Sequence, residues 1–311
     1  MTAKAPPELS IIITVVDGGV TLRRCLDALE RQEDAPSFEV IIPYDASIAE
    51  TGAIAADYPD YDFIDLGALR EGAPRNAYEE HDLFDQRRTG GLKAARARLV
   101  AMIEDRGWPR PDWAKEMVAA HRLYPDGVIG GAVESEARGP AMWAIFFVDF
   151  GRYQAPFDSA HPEYVTDTNI CYKREALMSV EHLWTHKYQE AEVNWALADK
   201  GAGLRLVEGP RTVQHREPVG FGEMASERFH WGRTYGDMRA RGKSFGQRLK
   251  WIAITPLLPF VLYLRHVRRQ LRLKRNVGEL ALATPVIFFL LTFWSIGECA
   301  GYFEAEKPAK A

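Results

Sequence analysis

Cysteine is scarce: Cys25, Cys171 and Cys299 are the only three in 311 residues, far apart and odd in number. That usage excludes a disulfide framework and a structural zinc site, and it suits a reducing compartment. Neither sign of charge dominates, and a formal net charge of −4 argues against a general nucleic-acid binder. Met1 to Pro7 hold no apolar run, so no signal peptide is expected there. Internal repeats and low-complexity tracts are also missing. What the chain does have is 47% hydrophobic residues, enough to bury a large core in one domain or in one domain plus an appendage.

The stretch from Ile103 to Trp113 says most. An apolar run, Leu99 to Ile103, stops at Glu104-Asp105-Arg106, and a Pro-punctuated turn then leads to a helix start at Asp112. Acids at the carboxyl end of a buried strand sit where open α/β sheets bind ligands. Adjacent carboxylates repel each other unless a cation, a proton or a ligand group relieves them. The surrounding pattern supports such a sheet. Leu9 to Val16 reads as a buried parallel strand, broken by Asp17-Gly18-Gly19, and a helix follows with Leu22, Leu26 and Leu29 on one face. Phe38 to Pro43 is a second strand, ended by Tyr44-Asp45-Ala46-Ser47, and a third strand is expected near Asp62 to Leu66. Strands alternating with helices predict a mostly parallel α/β sheet flanked by helices. Gly72 to Asp85 reads as an irregular loop. Met142 to Phe150 and Tyr164 to Tyr172 read as β or mixed segments, Glu190 to Lys200 as a helix, and Leu204 to Val207 and Thr212 to His215 as two short strands.

After residue 245 the character changes. Trp251 to Leu264 is apolar but short and contains Pro256 and Pro259, while Leu280 to Gly297 is about long enough to span a bilayer. Between them lie Arg265, Arg268, Arg269, Arg272, Lys274 and Arg275 with no acid. A two-span hairpin would put this basic loop on the outer side, against the positive-inside rule. The expectation is therefore helices lying in or dipping into the cytoplasmic leaflet of the cell membrane, with the basic loop on anionic head groups. A soluble helical cap or a homodimer interface is the alternative. Two regions follow: 1–245, an α/β domain, and 246–311, a membrane-associated helical region.

Asp17, Asp45 and Glu104-Asp105 all end expected strands, so they line one edge of the sheet. Carboxylates there accept hydrogen bonds from base N–H groups and ribose hydroxyls, which suits a nucleotide. At this point the sequence resembles the family 2 glycosyltransferases. Leu22-Arg23-Arg24-Cys25-Leu26 matches the family's Leu-x-x-Cys-Leu helix, and Asp45-Ala46-Ser47 stands for its Asp-Gly-Ser. Arg87-Arg88-Thr89 before Gly91 resembles Ala-Arg-Asn before Gly, with Arg88 in the Arg position. Glu104-Asp105-Arg106 lies at the Asp-x-Asp motif, with Pro111-Asp112-Trp113 matching the turn after it. Thr168-Asn169 resembles the Gly-Asn segment, Gln189-Glu190-Ala191-Glu192-Val193 resembles Glu-Asp-x-Asp-Leu, and Val213-Gln214-His215 supplies a late His.

The resemblance implies a GT-A fold with a Rossmann-like sheet and inverting transfer from a nucleotide-diphosphate sugar to a hydroxyl of a glycan or lipid-linked acceptor. Glu190 would be the catalytic base. Asp17, Asp45, Arg88, Glu104, Asp105 and Arg106 would form the donor site. The family's divalent metal, Mn2+ or Mg2+, would fall to Asp105 and His215, although Arg106 replaces the second Asp of the motif and a cation there can itself neutralise a diphosphate. No Gln-x-x-Arg-Trp occurs, and Glu227-Arg228-Phe229-His230-Trp231 is the nearest string, which argues against a processive synthase. Two other classes remain open: a non-catalytic scaffold of the same fold in envelope-glycan assembly, and a nucleotidyltransferase.

Overall fold

Eight strands of one mixed sheet carry the computed structural model, which describes residues 6–305; the start of the first expected region and the end of the second lie outside that range. The strands are β1 (Leu9–Thr14), β2 (Phe38–Tyr44), β3 (Asp62–Asp65), β4 (Leu99–Glu104), β5 (Gly107–Pro109), β6 (Val128–Ser135), β7 (Asn169–Lys173) and β8 (Leu204–Gln214). The helices are α1 (Gly19–Glu30), α2 (Thr51–Ile54), α3 (Ala77–Ala94), α4 (Trp113–Leu123), α5 (Gly139–Phe150), α6 (Arg174–Met178), α7 (Glu181–Trp184), α8 (Glu190–Asp199), α9 (Phe221–Ala240), α10 (Phe245–Ile254), α11 (Leu258–Leu273) and α12 (Val277–Glu304). Two compact units result. One holds residues up to Ala73, His81–Glu136 and Tyr153–His215; the other holds Pro74–Glu80, Ala137–Arg152 and the chain from Arg216 onward.

In the first unit the strand order is β3-β2-β1-β4-β7-β6-β8-β5. β3, β2, β1 and β4 run parallel, so the carboxyl ends of β1, β2 and β4 lie along one edge, as the sequence pattern requires. β7 enters antiparallel between β4 and β6, while β8 pairs parallel with β6. Every residue of β1 is buried. Its Leu9, Ile11 and Ile13 meet Leu22, Leu26 and Leu29 of α1, and the same core includes Trp113 and Met117 of α4. The two short strands expected at Leu204 and Thr212 form one strand, because a register shift between Gly131 and Ala132 of β6 absorbs residues 208–210. Asn169 secures that shift. Its amide donates to Ala132 O (2.9 Å) and Pro210 O (3.0 Å), and its carbonyl accepts from Trp113 Nε1 (2.9 Å).

Two segments differ from the sequence reading. Met142 to Phe150 is helical as part of α5, not β: a run that is apolar on every side has no period to distinguish strand from helix, and Pro140 in its first turn favours a helix start. The loop expected at 72–85 gives way to α3 from Ala77, where Asn76 Oδ1 accepts from the N–H groups of Tyr78 and Glu79 (both 3.1 Å).

The second unit is helical, with α12 as its central element. α9 runs against α12 backbone to backbone. A Cβ on Gly232 would stand 2.2 Å from Trp294 O, and one on Gly297 would stand 2.0 Å from Phe229 O. Gly236 and Gly301 repeat the contact one turn on. Phe221 on Phe289 and Tyr235 on Trp294 flank the seam. α5 and α11 also pack on α12.

A side chain at the seam must force the helices apart. Gly297→Val is expected to destabilise the second unit by about 3 kcal/mol. Gly278→Ala, at a position with nothing within 4 Å of the added carbon, should be neutral or slightly stabilising. Thermal unfolding followed by circular dichroism separates the two outcomes.

Candidate active site

The β1–α1 turn is organised by a carboxylate from the neighbouring strand end. Asp105, 1% exposed, accepts from Val16 N (2.9 Å), Gly18 N (2.7 Å) and, more weakly, Asp17 N (3.2 Å). Gly18 sits at φ +68°, a conformation costly for other residues, which turns its N–H inward. Burial nevertheless pushes the Asp105 carboxyl up to about 6, against the pull of these N–H groups. Beside it, Arg106 grips Asp17 through two parallel bonds, Nε to Oδ2 (2.9 Å) and Nη2 to Oδ1 (2.6 Å), in a partly exposed pair.

At the end of β2, Asp45 Oδ1 accepts from Ser47 N (2.8 Å), Ser47 Oγ (2.6 Å) and Arg87 Nη2 (3.2 Å). Arg87 Nη1 reaches Val15 O (2.6 Å), so one buried guanidinium ties the ends of β1 and β2 together. Asp45 Oδ2 is buried without a hydrogen-bond partner among the described residues.

Arg88, next along α3, is the centre of a second cluster. Its guanidinium is 1% exposed and bonds Asp85 Oδ1 (2.9 Å), Glu104 Oε1 (2.7 Å) and Asp167 Oδ2 (2.8 Å). His81 and Lys187 also face Asp85, at 3.4 and 3.5 Å. Burial opposes the charge on Asp85, but His81, Arg88 and Lys187 overcome it and hold its carboxyl below the ordinary range. Glu104 and Glu190 move the other way. Burial and the neighbouring Asp167 charge hold both above the ordinary carboxylate range, against Arg88. Glu190 opens α8 and remains partly accessible. Behind it, Asn194 donates to Glu190 O (2.6 Å) and to Tyr172 Oη (3.1 Å), and Tyr172 meets Tyr188 (2.6 Å), so the backbone of the first α8 turn is fixed. Carboxyls pushed up by burial and by each other, at a sheet edge, mark a place suited to proton transfer.

The structure therefore brings Arg88, Glu104 and Glu190 into one cluster and sets Asp105, Asp17 and Arg106 beside the β1 end. Arg88 is turned to carboxylates rather than outward to an anion. Asp45 and Arg87 form their own pair. The sequence reading missed Asp85, Arg87 and Asp167. Asp85 was signalled by its i, i+3 spacing from Arg88, whereas Asp167 precedes β7 and carries no local signal. His215 is held at the end of β8, its N–H donating to Arg106 O (2.9 Å) and its ring facing Trp108 at 6.3 Å. The Asp105 oxygens accept from the backbone N–H groups of the β1–α1 turn. Among the described residues no group of three or more His, Cys, Asp and Glu is arranged to hold a metal.

The model for Glycosyl transferase family 2 matches residues 10–180 of the chain. The chain is 27% identical over 137 residues to the putative glycosyltransferase EpsH of Bacillus subtilis, covering 44% of this chain and 37% of that one. It is 25% identical over 188 residues to the glucosyl-dolichyl phosphate glucuronosyltransferase of Haloferax volcanii, covering 58% and 57%. The chain thus spans from about a third to just over half the length of these curated relatives. Many solved structures resemble its fold, and among them are these two. One is the mannosyltransferase PcManGT of Pyrobaculum calidifontis in complex with GDP-Man and Mn2+, at a TM-score of 0.51, 16% identity and 90% and 75% coverage. The other is S. aureus TarS 1–349 in complex with UDP-GlcNAc, at 0.50, 14% identity and 94% and 90% coverage. The sheet is accordingly that of the GT-A fold.

Removing the central cation leaves buried carboxylates facing one another. Arg88→Met is expected to destabilise the first unit by about 3–5 kcal/mol near neutral pH. Without Arg88, Glu104 and Glu190 titrate still higher and are protonated in mild acid. The stability deficit should therefore be larger at pH 8 than at pH 5.5, as read from urea unfolding midpoints.

Proposed function

The chain belongs to glycosyl transferase family 2, and on that footing we propose that it transfers a sugar from a nucleoside-diphosphate sugar to a hydroxyl acceptor with inversion at the anomeric carbon. The observation that carries the proposal is Glu190, a partly accessible carboxylate held above its ordinary range in the Arg88 cluster. The solved structures that hold UDP-GlcNAc and GDP-Man support the donor class. The acceptor is a glycan or a lipid-linked saccharide, a reading supported by the dolichyl-phosphate relative and by the apolar C-terminal helices. The enzyme works at the cytoplasmic face of the cell membrane.

In this reading the donor lies along the carboxyl ends of β1, β2 and β4. Asp45 Oδ2 offers its unpartnered lone pairs to a base N–H or ribose hydroxyl. Glu190 takes the proton from the acceptor hydroxyl as that oxygen attacks the anomeric carbon, and the nucleoside diphosphate departs. Arg106 exchanges Asp17 for the leaving diphosphate, which supplies the charge that the replaced acid of the Asp-x-Asp motif would have recruited. Asp17 and Asp105 keep the β1–α1 turn in place for that exchange. Arg88 acts through Glu104 and Asp167, fixing the charge that Glu190 feels.

A base must be ionised to act, so activity rises with pH through the Glu190 titration. The acid limb of kcat/KM should lie near pH 7 rather than near 4.5. Glu190→Gln should lower kcat by roughly 10²–10⁴-fold with donor affinity unchanged by calorimetry. A variant as active as the parent sinks this assignment, and a parent that binds donor sugars but turns none over points to the scaffold reading. Nucleoside triphosphate consumed with release of diphosphate, insensitive to Glu190→Gln, points to a nucleotidyltransferase.

The role given to Arg106 has a separate check. Turnover should survive excess chelator within about threefold, while Arg106→Ala should lower kcat by about 100-fold or more. Activity abolished by chelator and restored by Mn2+ would overturn it.

A further inference from the structure

Among the described residues α12 is the one helix long and apolar enough to cross a membrane, yet it is also the centre of the second unit. Its glycines lie against the α9 backbone. α9 carries Glu223, Glu227, Arg228, Arg233, Asp237 and Arg239, so a spanning α12 would draw that charge into the hydrocarbon. Glu298, buried on α12 itself, accepts from Trp294 Nε1 (2.9 Å) and from Tyr302, with Arg239 at 3.5 Å. These are the contacts of a core helix.

Leu282, Ile296 and Phe303 of α12 remain exposed, and a further run of exposed apolar residues lies on α10 and α11. Leu249 and Ile254 of α10, Leu257 after it, and Phe260 and Leu264 of α11 are each half or more exposed. Leu257, Phe260, Val261 and Leu264 recur at i, i+3, i+4 and i+7 and so form one stripe. On α11 the stripe runs on into exposed Arg265 and Arg268, and exposed Arg275 follows in the turn after the helix. From residue 238 to residue 278 the chain has eleven Lys and Arg and no Asp or Glu.

We propose that the α10–α11 face docks in the plane of a bilayer rich in anionic lipids, its leucines and Phe260 among the acyl chains and its arginines on the head groups, while α12 stays inside the protein. The proposal rests on the wider reading of this unit as membrane-associated and specifies how it associates. Charge decides between occupants. A second copy of the same face would set cations against cations with no acid to answer them. A nucleic acid would leave the apolar stripe in water. An anionic bilayer satisfies both parts, with apolar burial and attraction to head groups adding together.

The test uses the purified full chain and co-sedimentation with vesicles of phosphatidylcholine alone or with roughly 30 mol% phosphatidylglycerol. Binding should be about tenfold stronger to the anionic vesicles and should fall as salt is raised to about 0.5 M. An alkaline carbonate wash should release the protein. Phe260→Glu with Leu264→Glu should lower binding to both vesicles by about tenfold or more. Arg265→Gln with Arg268→Gln and Arg275→Gln should instead bring anionic binding down to the neutral level. All five side chains are exposed, four on α11 and Arg275 in the turn after it, and the arginine variant leaves the Phe260–Phe288 ring contact intact, so it tests the face independently of folding. Carbonate-resistant binding, or binding indifferent to both variants, overturns the in-plane mode and leaves membrane association standing. Binding to neither vesicle overturns both. A dimer abolished by the glutamate variant assigns the face to a second copy and overturns the proposal.

Discussion

One buried guanidinium sets the electrostatics of the first unit. Arg88 faces Asp85, Glu104 and Asp167, which come from α3, from the end of β4 and from the segment entering β7. Those elements are distant in sequence and meet at the point where β7 enters antiparallel beside the parallel strands. His81 and Lys187 sit at Asp85, so Arg88 is left to answer Glu104 and Asp167, and Glu190 titrates partly buried beside the Asp167 charge. Pairing alone would have produced ordinary salt bridges with depressed carboxyls, which is the state of Asp85. Burial raises all three carboxyls; His81 and Lys187 help Arg88 bring Asp85 back down, while burial and the Asp167 charge keep Glu104 and Glu190 up.

The parallel half of the sheet was legible from pattern alone. β1, β2 and β4 are short apolar runs closed by acids, and Leu22, Leu26 and Leu29 place α1 with helical spacing. That much follows from burial on two faces and from turn chemistry, both local. The non-local features were not legible. The β6–β8 register shift depends on Asn169 and Trp113 converging from separate elements. α5 has no periodicity because it is apolar on all sides.

The site divides in the same way. Glu190, Glu104, Asp105, Arg106 and Asp17 stand out because each lies at an element boundary, where charge is conspicuous after an apolar run. Apart from the Arg106–Asp17 pair, their partners do not stand out. The sequence shows two adjacent acids at 104 and 105, and only the fold sends them in different directions, Glu104 to Arg88 and Asp105 to the turn amides. Likewise Arg87 and Arg88 are neighbours in sequence but serve separate clusters, one at the β2 end and one at the β4 end. The i, i+1 offset on a helix accounts for the split, since consecutive side chains diverge by about 100°.

The glycine seam of α9 and α12 has a thermodynamic consequence. Where Gly232, Gly236, Gly297 and Gly301 let two backbones touch, few apolar side-chain groups leave water on closure. The attraction there is dispersion between main-chain atoms, aided by Cα–H···O contacts, and it carries little of the heat-capacity change that accompanies burial of leucines and phenylalanines. Adhesion of that kind fades less on cooling than hydrophobic burial does. The helical unit is thereby held by a contact of different temperature dependence from the leucine- and isoleucine-filled core beneath the sheet.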